Sequence, residues 1–337
     1  MVLQGFEPNP HLRNNPVQTV LNSLGPKSRK LNAKLQRIQA QESHHLIDCG
    51  KDARLIGAFN RHWILPENLS SSKPQKQVIL LHGWEGSYTS SYIISATEKL
   101  LKAGYDVFRL NLRDHGPSLH LNRGLFNSTL SPEVARAILK IRVMFPRKHC
   151  FLAGFSLGGN FALRISADVG EKLRLSGTLA ICPPVNPATT MKIIERRLSP
   201  YQKHYYSRWK QSLTTKLQYF PDLGYNDALK KCKNTREMNK LIIPNFTPYH
   251  ETDEYSSAYT IDNERLKNLK VPTWIIASQD DPIVPVSDVL DLRERSTLSI
   301  ETPRRGGHCG FMETFDTNSW VEDRMVDIFN HASQPSA

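Results

Sequence analysis

Cysteine is scarce in this chain: five in 337 residues, at Cys49, Cys150, Cys182, Cys232 and Cys309. The number is odd and no pair has C-x-x-C spacing. That pattern offers neither a disulfide framework nor a zinc-site signature, and a reducing cytosol is the expected compartment. No run approaches the roughly 18 apolar residues of a membrane span. The opening Met-Val-Leu-Gln-Gly-Phe-Glu-Pro-Asn-Pro has no basic region followed by an apolar core, so no secretory signal is expected. Internal repeats and low-complexity tracts are absent. Acid is short relative to base, and the formal net charge is +12. Such a balance raises nucleic-acid binding as a possibility. However, the sequence has no zinc-finger, helix-turn-helix or RNA-recognition signature and its basic residues are spread out, so no nucleic-acid partner is expected.

What is present is a serine at the tip of a turn. Cys150-Phe151-Leu152-Ala153 is an apolar run, followed by Gly154-Phe155-Ser156-Leu157-Gly158-Gly159-Asn160 and a helical stretch. This is the strand–turn–helix context of the G-x-S-x-G nucleophile elbow. The turn is strained, and Gly154 and Gly158 flank it without bulk. Strain at one exposed serine points to nucleophilic catalysis rather than packing.

A serine nucleophile needs a base and a group that orients the base. Thr273-Trp274-Ile275-Ile276-Ala277-Ser278 reads as a buried strand, and Gln279-Asp280-Asp281-Pro282 follows it. An acid just past the C-terminal end of such a strand faces the ligand-binding edge of an open α/β sheet. Asp281, directly before the proline, is the expected acid, and Asp280 is the alternative. His308 lies in Arg304-Arg305-Gly306-Gly307-His308-Cys309-Gly310-Phe311, after the strand-like Thr297–Glu301. Glycines on both sides let a tight loop present the imidazole. His308 is expected to take the Ser156 proton. Val78-Ile79-Leu80-Leu81 is another apolar strand, ending in His82-Gly83-Trp84-Glu85-Gly86-Ser87. The backbone N–H groups of Trp84 and Leu157 are the expected oxyanion hole, and His82 is expected to pack the loop.

With these residues in view, the chain resembles the α/β-hydrolases, and within them the YheT-type branch of hydrolases and esterases. LHGWEGS (81–87) is similar to that branch's oxyanion loop, and GFSLGGN (154–160) to its elbow. SQDDPIVP (278–285) is similar to its acid loop and GGHCGF (306–311) to its histidine loop. NLRDHGPSLHLNRGLFNS (111–128) resembles the segment after the next strand, although RDHGPS departs from R-G-x-S-G. NNPVQT (14–19) resembles an N-P-H-x-Q-T signature, with Val17 where histidine is usual. TPYHETDEYSSAYT (247–260) resembles a segment that leads back from a cap. The resemblance implies an α/β-hydrolase fold: a mostly parallel central sheet flanked by helices, with an inserted helical cap.

The order of elements agrees. Strands at 78–81, 106–112, 150–155 and 176–182 alternate with helices at 90–103, 132–144 and 157–168, which implies a parallel sheet covered by helices. The pattern lapses after Pro184 and resumes with strands at 273–278 and 296–301 and a helix at 319–331. The expected division is an N-terminal extension over 1–75, a core over 76–185 and 270–337, and a cap over 186–269. In the extension, Pro8, Pro10 and Pro16 break the start, and Leu31–Gln41 is helical in composition. Cys49–Trp63 is expected to add antiparallel edge strands, and Ser70–Pro74 a loop into the core. In the cap, Pro200, Pro221, Pro244 and Pro248 are expected breaks.

Lys192–Lys216 is the densest basic stretch, with Glu195 its lone acid and apolar residues at steps of three or four. It reads as one amphipathic helix whose apolar side packs on the core and whose basic side is solvated. Contact of 192–217 with an anionic membrane surface is the second reading.

The expected function is hydrolysis of carboxylic esters, short- to medium-chain or lipid-like, through an acyl-enzyme. The cap's aromatic residues favour an apolar substrate. No metal and no organic cofactor is expected. An acyltransferase using the same acyl-enzyme, a membrane-surface lipase and a non-enzymatic ligand-binding hydrolase fold are the alternatives. Substrate-contacting residues and oligomeric state are not readable from the sequence.

Overall fold

The computed structural model describes residues 6–13, 18–19, 29–63, 75–196, 199–314 and 319–334. Pro16, Val17 and the Ser70–Pro74 loop fall outside them. Eight strands form one sheet in the order β1-β2-β4-β3-β5-β6-β7-β8. They are β1 Glu42–Asp48, β2 Arg54–Asn60, β3 Lys76–Leu81, β4 Asp106–Asn111, β5 His149–Phe155, β6 Gly177–Ile181, β7 Thr273–Ile276 and β8 Leu298–Glu301. The β1–β2 and β2–β4 pairs are antiparallel, and every other pair is parallel. Central parallel strands are buried on both faces and read as continuous apolar runs. β5, with all but its first residue buried, shows this directly.

The first edge strand lies upstream of the 49–63 stretch expected to hold it. Glu42-Ser43-His44-His45-Leu46-Ile47-Asp48 is the outermost strand and largely solvated. An edge of this kind carries polar residues that blunt further pairing, so it has no apolar signature. Cys49 sits instead at the turn into β2, where Lys51 and Asp52 take positive φ.

Helices α1 Arg29–Gln39, α2 Ser91–Lys102, α3 Ser131–Met144, α4 Leu157–Val169 and α11 Trp320–Ala332 accompany the sheet. Two large apolar clusters form where they pack. One joins β3, β5 and β6 to α2 and α11, and the other joins β2–β5 to α3 and α4. Between β6 and β7 run α5 Pro187–Ile194, α6 Pro200–Tyr219, α7 Asn226–Lys231, α8 Thr235–Phe246 and α9 Thr252–Ala258. The short α10, Val286–Leu290, follows β7.

The single basic helix expected over Lys192–Lys216 is two helices. α5 ends at Ile194, and α6 starts afresh at Pro200, where Ser199 Oγ accepts the Tyr201 N–H at 3.2 Å. Proline fits the first turn of a helix but not its interior. Nor is the basic side wholly solvated. Lys216 is 1% exposed, while Lys192, Arg196, Lys203 and Arg208 remain on the surface. Pro244 does not break its helix, since it lies inside α8 close to the end. None of the described helices is long and apolar enough to cross a membrane.

Candidate active site

Ser156 joins β5 to α4 at φ 52°, ψ −121°. A non-glycine residue in this region is strained and is held there by its surroundings. Here the surroundings are two backbones at close range. A Cβ on Gly154 would lie 2.1 Å from the Gly158 carbonyl oxygen, and one on Gly158 would lie 2.4 Å from the Leu81 carbonyl oxygen. Only glycine lets α4 start so close to β3 and β5. The crossing pushes the serine side chain out at the carboxyl edge of the sheet.

The loops after β7 and β8 reach the same edge. His308 Nε2 and Ser156 Oγ are 2.8 Å apart, and His308 Nδ1 and Asp281 Oδ2 are 2.8 Å apart. Asp281 Oδ1 also accepts the Ile283 and Val284 N–H groups at 2.8 and 2.9 Å, so its carboxylate is fixed in orientation. Asp280 turns the other way, and its Oδ1 accepts the Gly307 N–H at 2.9 Å. Of the two acids, Asp281 contacts the imidazole and Asp280 braces the histidine loop. Burial alone would lower the His308 pKa. The Asp281 carboxylate, with the Cys309 sulfur behind it, outweighs burial and raises it to about 9.

The loop after β3 passes beside the serine, close enough that a Cβ on Gly83 would stand 3.2 Å from Ser156 Cβ. Gly83 N–H donates to Tyr92 Oη at 2.9 Å. His82 Nε2 accepts the Leu112 N–H at 3.0 Å, while its Nδ1–H donates to Gly83 O at 2.8 Å. Burial pushes the His82 pKa down to about 3, so the ring is neutral and braces the loop. Leu157 is the first residue of α4, where backbone N–H groups have no acceptor within the helix. Among the described residues, no backbone carbonyl engages the N–H of Trp84 or Leu157.

Two spaces meet at Ser156. One is an apolar chamber whose walls include Phe126, Met191, Ile194, Trp209, Ile242 and Tyr259. The other is a polar cleft bordered by Glu85, Ser87, Thr89, His204 and Arg208, with His308 and Cys309 at its floor. The Trp84 ring stands between them, stacked on Tyr205 at 4.9 Å and edge-on to Trp209 at 5.4 Å. The cap thus grips the loop that carries one expected oxyanion donor. A second grip is Ser212 Oγ, which donates to Glu85 Oε2 at 2.6 Å. Lys216 grips a different loop, the one after β4: its Nζ meets Asp114 Oδ1 at 2.7 Å and donates to the Asn122 carbonyl.

Gln18 and Thr19 carried no assigned role in the sequence. Gln18 bonds both polar groups of Met312, and Thr19 Oγ1 accepts the His308 N–H at 2.9 Å. Gln18 and Thr19 therefore support the histidine loop. Only pairing across nearly 300 positions reveals this, so no local signal could have shown it.

The family model described as "Serine aminopeptidase, S33" matches residues 72–313. The chain belongs to that family. Among curated proteins, this hydrolase is similar to the monoacylglycerol lipase of Saccharomyces cerevisiae. They are 23% identical over 78% of this chain and 61% of the lipase, so the chain spans less than two thirds of that relative. It is also similar to the putative esterase YheT of Escherichia coli, at 24% identity over 77% of this chain and 78% of that protein. Among solved structures, the Pyrococcus furiosus esterase Pf2001 aligns with a TM-score of 0.58 and 16% identity. It covers 89% of this chain and 94% of its own. That likeness concerns the fold alone, and the α/β-hydrolase fold is what it shows.

Proposed function

We propose that this hydrolase cleaves carboxylic esters with apolar acyl groups, with Ser156 as nucleophile, His308 as base and Asp281 as the orienting acid. The observation that carries the reading is the run of 2.8 Å contacts from Ser156 through His308 to Asp281, set at the mouth of an apolar chamber. Ser156 Oγ attacks the ester carbonyl while its proton passes to His308 Nε2. The oxyanion is met by the Trp84 and Leu157 N–H groups. As the C–O bond breaks, Nε2 returns the proton to the leaving alcohol. Water, deprotonated by the same nitrogen, then frees the acid and Ser156. The chamber holds the acyl chain, and the leaving alcohol faces the cleft. No step calls on a metal or an organic cofactor.

The family description names a peptidase, but the chamber favours an ester. An aminopeptidase must hold a free ammonium, and no carboxylate is among the described residues lining the chamber. The relatives named above as lipase and esterase support the same choice.

The test is hydrolysis of p-nitrophenyl esters of increasing acyl length, beside aminoacyl p-nitroanilides, with Ser156→Ala in parallel. Serine-dependent release that peaks at one acyl length is expected, with little from the anilides. Release unaffected by Ser156→Ala, or faster turnover of the anilides, contradicts the reading.

A further inference from the structure

Beside the imidazole the fold places two cysteines that ester cleavage does not use. Cys182 follows β6, and Cys309 follows His308, 127 positions further along. The Cys309 N–H donates to Cys182 Sγ at 3.4 Å. Cys182 Sγ contacts Gly307 O at 3.8 Å, and Cys309 Sγ contacts Ile181 O at 3.7 Å. The two sulfurs and one ring nitrogen of His308 all lie within 4.8 Å of one another, and the three residues are buried. Both cysteines sit at positive φ, 45° and 60°. Glycine would take that backbone conformation at lower cost, so filling space is a poor account of a cysteine at both places. The cluster has a wet approach, because Cys309, His308 and Ser156 together floor the polar cleft.

We propose that Cys182, Cys309 and His308 form an inhibitory site for one soft divalent cation of the zinc or cadmium class. Two thiolates and an imidazole are the donors such ions favour. Tetrahedral coordination spaces these donors at roughly 3.5–3.8 Å, so the cluster has to contract by about an ångström. Binding releases to solvent the protons of both thiols and, where the imidazole is protonated, the Nε2 proton as well. Nε2 is the ligating nitrogen, since Nδ1 is held by the Asp281 carboxylate. That carboxylate then orients the ligand, the usual support of a metal-bound histidine. An Nε2 that ligates the ion cannot take the Ser156 proton, so turnover stops. The cysteines' separation in the chain is why no cysteine spacing signals the site.

The inhibition rests on His308 being the catalytic base, but the binding does not. The experiment titrates the reduced, metal-free full chain with cadmium ions. It follows the ultraviolet thiolate-to-cadmium charge-transfer band and p-nitrophenyl ester turnover together, then adds a chelator. The expected result is a band saturating at one ion per chain. Turnover should fall at least about tenfold in step with the band and recover with the chelator. Zinc should compete for the same site. Cys182→Ala and Cys309→Ala should each lose the band, and Cys182→Ala should keep metal-free turnover within a few-fold of the parent. No band, a band that survives in both variants, or full turnover with the ion bound overturns the proposal. A metal-free parent that cleaves no ester overturns the esterase reading instead, and the band still decides whether the site exists.

Discussion

The two sides of the site are held by different forces. On the core side, backbone geometry does the positioning. Ser156 is fixed at φ 52° by glycine crossings, and Asp281 is locked by two N–H groups before it meets His308. On the cap side, side chains do it: a small apolar cluster around Leu213, Tyr225 and Met238, the Trp84–Tyr205 stack, and the buried Lys216–Asp114 pair. Backbone geometry leaves little freedom, as a proton transfer over hydrogen-bond distance requires. Side-chain packing tolerates exchange of one apolar residue for another of similar volume. The core side is therefore expected to fix the chemistry, and the cap side to decide which acyl chains reach it.

Core-side substitutions should break the chemistry while leaving the fold intact. Ser156→Ala should lower ester turnover by about 10⁴-fold or more, with a thermal midpoint close to the parent's by circular dichroism. Asp281→Asn should lower kcat by roughly 10⁴-fold, whereas Asp280→Asn should cost less than about tenfold because its carboxylate bonds the Gly307 N–H and not the imidazole. The pH profile adds a signed test. His308 must be neutral to act, and its pKa is raised from 6.5 to about 9. Measured with a chelator present, kcat/KM should rise with pH along a limb lying above 6.5. In Asp281→Asn the limb should shift to lower pH, because the cause of the raised pKa is gone. The same shift makes the His308–Asp281 pair stabilising below pH 6.5, an effect lost as pH passes about 9.

Cap-side substitutions should show the converse. Lys216→Met leaves Asp114 buried without its cation and should cost about 3 kcal/mol in denaturant unfolding. Burial already pushes the Asp114 carboxyl up to about 6. Its protonation should therefore make the loss smaller near about pH 5 than near about pH 8. A selective effect is expected from Ile242→Trp, which fills part of the chamber. Turnover of the longest accepted acyl ester should fall about tenfold relative to an acetyl ester. Equal losses on both esters would mean that the chamber does not hold the acyl chain.

The same contrast governs what could be read from the sequence. The elbow, the acid loop and the histidine loop were legible because each is a local demand: a strained turn needs glycines, and a strand needs a short apolar run. The choice between Asp280 and Asp281 turned on where two adjacent side chains point, and only the folded loop separates them. β1 stayed hidden because an edge strand facing water carries no apolar alternation. The cap was legible as an interruption but not as a structure. Pro200 was an expected break in its basic stretch, but nothing local signalled that Lys216 would be buried against an acid 102 positions away. Gln18, Thr19 and the Cys182–Cys309 contact are long-range pairings of the same kind. They depend on which loops the sheet order brings to one edge.

The central claim, that Ser156 is the nucleophile activated by His308, is tested most directly by covalent capture. The full chain would be treated with an excess of a serine-reactive fluorophosphonate and analysed by intact mass and peptide mapping. A single adduct on the peptide bearing Ser156, absent in Ser156→Ala and strongly slowed in His308→Ala, is the expected result. A folded chain that takes up no probe, or that carries it on another serine while Ser156 stays unmodified, would contradict the account.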